Sequence, residues 1–133
     1  MYQINDDLSI YVTRGDSIAF TVEAEDQNGE SFTFSKGDLL RFRIFEKKNC
    51  SAVVLQKDFR VTSETKTVEI SLSSVETKLG DIISKPKDYW YEIELINEDA
   101  ESSRTIIGYD EDGAKIFKLF PEGKDNVENE KEG

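Results

Sequence analysis

Apolar residues recur at every second position in run after run, the period of strands with one face buried and the other wet. Leu8, Ile10 and Val12 alternate with Ser9, Tyr11 and Thr13; beyond a turn at Arg14-Gly15-Asp16, Ile18, Phe20 and Val22 alternate with Ala19, Thr21 and Glu23. Asp26-Gln27-Asn28-Gly29 predicts a tight reversal, because Asn-Gly supplies the positive φ such turns need, and Phe32-Thr33-Phe34 a short strand after it. Leu40, Phe42 and Ile44 point one way and Arg41 and Arg43 the other, until Glu46-Lys47-Lys48-Asn49 breaks the run. Val53, Leu55, Phe59 and Val61 share the next inward phase. Lys57 interrupts it and marks an edge strand, since an inward lysine is one way a sheet edge is guarded against further pairing.

Val68, Ile70 and Leu72 make a further alternation. Ser73-Ser74-Val75-Glu76 then fits a capping box and predicts the single helix of the chain, Ser74 to Gly80, with Leu79 pinning it over one end of the core. The longest run follows: Tyr89, Tyr91, Ile93 and Leu95 alternate with Trp90, Glu92 and Glu94. After a turn at Asn97-Glu98-Asp99-Ala100-Glu101, a strand over Thr105, Ile106, Ile107 and Tyr109 leads through Asp110-Glu111-Asp112-Gly113 to a last strand from Ile116 to Phe120, stopped by Pro121. Seven to nine short strands, one short helix and no βαβ rhythm predict an all-β, immunoglobulin-like antiparallel β-sandwich, with a small barrel as the alternative. The sandwich spans 1–121; 122–133, with Val127 its one aliphatic residue, reads as an acidic tail without fixed structure.

Composition narrows the function. The 133 residues suffice for one core, and 37% hydrophobic against 34% charged side chains give that core an unusually charged coat. No histidine occurs and Cys50 is the only cysteine, which removes imidazole-dependent catalysis, multi-thiolate zinc sites and the inter-sheet disulfide of antibody domains. A formal charge of −11 argues against a nucleic-acid partner, which needs a basic face. No apolar run reaches membrane-helix length and the start is acidic, so the expected location is the bacterial cytoplasm or a virion, with no membrane partner. No metal, cofactor or catalytic residue is expected.

Three short motifs take plain readings. Arg14-Gly15-Asp16 is the tripeptide of integrin ligands and equally ordinary turn chemistry. Asp110, Asp112 and Gly113 echo the start of a calcium loop but lack its closing glutamate. Asn49-Cys50-Ser51 fits a glycosylation acceptor without a secretion signal to use it. The candidate contact face is Trp90, Glu92 and Glu94 with Arg41 and Arg43, if those two strands are neighbours, and Tyr11 as a second aromatic. Trp90 falls in the outward phase, where a large aromatic calls for cover from sugar, protein, the tail or the loop around Pro86.

Thr13-Arg14-Gly15-Asp16 running into Ile18-Ala19-Phe20-Thr21-Val22, the Phe42-Arg43-Ile44 strand, the Tyr89-to-Leu95 strand and the closing Thr105-Ile106-Ile107-Gly108 resemble phage and prophage tail proteins. The likeness is to the N-terminal immunoglobulin-like domain of upper-baseplate proteins of phages infecting Gram-positive bacteria. The ending Lys115-Ile116-Phe117-Lys118-Leu119-Phe120-Pro121-Glu122-Gly123 is similar to that of short stand-alone prophage proteins of gut Firmicutes. The resemblance implies a non-catalytic structural module that docks with virion components or with itself, and transfers no residue roles. The baseplate proteins continue into a long helix and a receptor-holding domain, which this sequence lacks. A carbohydrate- or cell-surface-binding sandwich is the alternative expectation.

Overall fold

The computed structural model describes residues 1–26, 28–97, 102–108 and 113–123. Its nine strands are β1 (Tyr2–Ile4), β2 (Ile10–Thr13), β3 (Ile18–Val22), β4 (Leu39–Phe45), β5 (Val53–Arg60), β6 (Val68–Leu72), β7 (Lys87–Ile96), β8 (Ser103–Ile107) and β9 (Lys115–Phe120). The large sheet runs β1-β2-β9-β7-β4-β5, with β8 also on β7, and the small sheet pairs β3 with β6. β8 and β9 follow one another along the same edge of β7, so they act as one long strand interrupted between 108 and 114. With β9 taken as G, β7 as F, β4 as C and β5 as C′, opposed by B (β3) and E (β6), this is the immunoglobulin-like sandwich order.

Several predicted features differ. The sheet is mixed, because β2 lies parallel to β9, from Ile10 opposite Phe117 to Thr13 opposite Phe120. No turn can join parallel neighbours, so nothing local in the sequence announces this pair. The predicted helix is a single turn. Its capping box forms, with Glu76 N donating to Ser73 Oγ at 3.2 Å and Ser73 N to Glu76 Oε1 at 2.8 Å. Thr77 N reaches back to Ser73 O, but Lys78 N already takes the tighter step to Val75 O, and Gly80 leaves at φ +60°. Leu79 alone drops into the core while Val75 stays exposed, so no apolar stripe rewards further turns.

The expected strand at Phe32-Thr33-Phe34 contracts to isolated bridges, Glu25 with Ser31 and Phe34 with Thr65, which still bury Phe34 completely. The preceding reversal forms as expected: Gly29 sits at φ +80° and the Asp26 carboxylate accepts from the backbone of Asn28 and Glu30. Gln27, 98–101, Tyr109 to Asp112 and 124–133 lie outside the described residues, and with them one turn, most of the last hairpin and the tail expectation.

Strict alternation along β7 buries Tyr89, Tyr91, Ile93 and Leu95 and leaves Trp90, Glu92 and Glu94 on the opposite face. Between the sheets, Tyr91 stacks on Phe42 with ring centroids 5.4 Å apart, and Phe117 meets both edge-on. Phe20 closes the cluster from the small sheet at 6.4 Å from Phe42. Lys57 behaves as an edge guard: from β5 its Nζ donates to Ser71 O at 2.9 Å and to Glu76 Oε1 at 2.8 Å.

Val53 is a correction to the inward phase read for β5. A bulge at Ile44/Phe45 makes Val54 an extra residue and sets Val53 opposite outward-facing Phe45. Val53 is accordingly 51% exposed.

Candidate functional site

The candidate residues lie on the outer face of the large sheet, away from the small one. β4 and β7 are neighbours, and their register sets Arg41 opposite Glu94 and Arg43 opposite Glu92. Arg43 Nη2 donates diagonally to Glu94 Oε1 at 2.9 Å. Arg41 turns to β5 instead and forks Asp58, Nε to Oδ1 at 2.9 Å and Nη2 to Oδ2 at 3.2 Å. The result is a lattice of alternating charge across β5, β4 and β7. Its electrostatics follow: the hydrogen bond to Asp58 raises the Arg41 pKa above the ordinary arginine value. Burial pushes the Glu92 carboxyl up, with Glu94 adding to the rise and Arg43 opposing it.

Beside that lattice runs an apolar row that crosses four strands in register: Val53, Phe45, Trp90 and Ile116. Phe45 is only 2% exposed, Trp90 is half-buried, and Ile116 is 39% exposed. Phe45 stands outside the core cluster between the sheets, so this row is a second, shallow apolar layer. Sequence reasoning singled out Trp90 but missed Phe45, Val53 and Ile116. The available signal was Ile44-Phe45, two adjacent apolar residues on an alternating strand, of which only one can face the core.

Tyr11 shares the face but not the row. Its register partners are Lys118 and, one strand further, Asp88. Two strand spacings and two residue steps put it about 12 Å from Trp90. It packs instead on Phe120, centroids 5.6 Å apart, with the Lys118 ammonium 5.7 Å from its ring centroid. The two aromatics therefore form no common flat surface. Relief on this face is slight; the depression bordered by Arg41, Arg43, Arg60 and Glu94 is an open groove of about 490 Å³.

Arg14 is no adhesive tip. It is 8% exposed, and its Nη1 donates to Glu122 Oε1 at 3.0 Å, with Nη2 to Gly80 O at 2.8 Å and Nε to Leu79 O at 3.4 Å. Glu122 is 3% exposed, so it packs with the body of the domain rather than as the first residue of a tail. Among the described residues no cluster of three or more Asp, Glu or Cys is arranged to hold a metal ion, and no helix is long and apolar enough to cross a membrane.

No family model matches the chain, and neither a curated protein nor a solved structure does.

Proposed function

We propose that the chain is a non-catalytic structural and interaction module, a component of a phage or prophage tail or baseplate that works by docking to protein. The observation that carries this reading is the outer face: an apolar row with a buried aromatic centre, flanked by rows of paired charges. That is the anatomy of a protein interface, an apolar middle inside a polar rim. Edge pairing and patch contacts need no reactive group, in keeping with a chain that has no histidine and one cysteine. The tail or baseplate setting rests on the resemblance of the strand and turn sequences, and places the protein in the virion or the cytoplasm that assembles it.

The carbohydrate-binding alternative loses support from geometry, since Tyr11 and Trp90 stand two strands apart and Tyr11 packs on Phe120. Mass spectrometry of particles released by prophage induction tests the proposal. The chain should co-purify with tail proteins at fixed stoichiometry; its absence from purified particles overturns the tail assignment. A glycan array with a Trp90→Ala control tests the alternative, which needs binding that the substitution abolishes.

A further inference from the structure

On the reading of this chain as a protein-docking module, we infer that the outer face of the large sheet takes a second copy of the same chain, about a two-fold axis parallel to the strands and between β4 and β7. Such an axis exchanges β4 with β7 and β5 with β9 while keeping each cross-strand row at its own level. Val53 then meets the second copy's Ile116, and the second copy's half-buried Trp90 lies over the position of Phe45, which its own chain already covers. The charges match in the same operation, because the cations of these rows sit on β4 and the anions on β7. Arg43 faces the second copy's Glu92, and Arg41 faces its Glu94. A two-fold axis along the apolar row would instead lay Glu92 over Asp88, like on like. Aligned packing of two sheets tolerates this geometry, with strand directions within about 30°.

Net charge points to the same face. On it Arg41, Arg43, Arg60 and Lys118 are balanced by Asp58, Asp88, Glu92 and Glu94. The chain carries −11, so the whole excess lies elsewhere, and two copies meet with least repulsion here. Four strand widths by the length of β7 span about 19 by 34 Å, or roughly 650 Å² of plane per copy. Stable complexes bury about 800 Å² per partner, so the expected dimer is weak, with a dissociation constant on the order of 10–100 μM.

Sedimentation equilibrium of the whole chain from about 1 μM to 1 mM reads the self-association across that range. The diagnostic pair is Arg43→Glu and Glu92→Arg. Each alone sets like charges against each other across the axis and should weaken the dimer at least tenfold. In an equimolar mixture the two introduced charges face one another across the axis, and the unaltered Glu92 of one variant faces the unaltered Arg43 of the other. Mixing should therefore restore a one-to-one heterodimer. Ile116→Asp, at an exposed position, should abolish association with the thermal midpoint held, which separates docking from folding. A wild-type chain monomeric throughout, a mixture no tighter than its components, or a dimer that survives Ile116→Asp through the β5 edge each overturns the inference. A monomer leaves the tail proposal to the particle experiment, and absence from particles leaves this face to sedimentation.

Discussion

Replacing Arg14 by alanine is the sharpest test of what holds the closing end of the sandwich. The guanidinium is buried, neutralises Glu122, and donates to the carbonyls of Leu79 and Gly80 as well. Arg14→Ala leaves a carboxylate almost wholly out of water with neither oxygen hydrogen-bonded, since Glu122 Oε2 already lacks a partner. Breaking one side of a buried ion pair costs about 3–5 kcal/mol. Glu122→Gln should cost less, about 1–3 kcal/mol, because the amide oxygen still accepts from Arg14 while its charge loses only the counter-ion. With an unfolding entropy of about 2.1 cal/mol/K per residue over 133 residues, a loss of ~4 kcal/mol lowers Tm by roughly 14 °C.

The double variant Arg14→Met/Glu122→Leu removes both charges and orphans only the Leu79 and Gly80 carbonyls, so it should fall between wild type and Arg14→Ala. Gly15→Ala strikes the same pair, because its Cβ would lie 3.0 Å from Glu122 Cδ at a backbone φ of +90°. Calorimetry with a urea series measures all four. Arg14→Ala within about 1 kcal/mol of wild type, or a double variant worse than Arg14→Ala, would refute the argument.

Further outcomes follow from individual residues. Leu8 is half-exposed at φ +71°, where its side chain is strained, so Leu8→Gly should raise stability by about 1 kcal/mol in urea unfolding. Lys57→Val removes the guard of the β5 edge and should give light scattering that grows with concentration past the mass of a dimer at neutral pH, where the wild type stops at the dimer. Glu76 and Glu92 should show opposite pH signatures in unfolding at low protein concentration. Burial pushes Glu76 up, but the Lys57 ammonium and the Ser73 backbone outweigh it and hold its carboxyl low. Its stabilisation is present above the unfolded carboxyl value and disappears as pH falls through the folded one, so Glu76→Gln is destabilising at neutral pH and silent in acid. Glu92 is raised, so its charge is a burden at neutral pH that protonation relieves. Glu92→Gln should therefore stabilise at neutral pH, with the gain vanishing below the unfolded value of about 4.3.

What was legible in the sequence is what one strand states by itself. The alternation of β7 declares its buried face because a one-residue slip would bury Glu92 and Glu94. Opposite charges on Arg41, Arg43, Glu92 and Glu94 suggested that β4 and β7 adjoin, and they do. The capping box was legible too, since its bonds span three residues; the helix expected beyond it was not, for that depends on what the next turns could bury. Long-range relations left no local trace. Nothing near Arg14 or Glu122 announces a pairing 108 residues apart, and the parallel β2–β9 ladder has no turn to mark it. Val53 changed faces for a reason no period count contains, a bulge opposite Phe45.

The balance of charge on the outer face also separates specific docking from ordinary acidic-protein association. As pH falls from 7 toward the isoelectric point near 4.5, the net charge shrinks and nonspecific association strengthens. A dimer built on Arg43 against Glu92 moves the other way. Glu92, raised by burial and by Glu94, protonates ahead of ordinary exposed carboxylates and leaves Arg43 facing a neutral group. Sedimentation at fixed protein concentration and about 0.15 M salt should therefore show the dimer loosening before bulk association sets in, and Glu92→Gln should abolish that loosening. Monotonic tightening from pH 7 downward in the wild-type chain would mean that the association it reads is charge neutralisation alone, with no part played by the Arg43 and Glu92 rows.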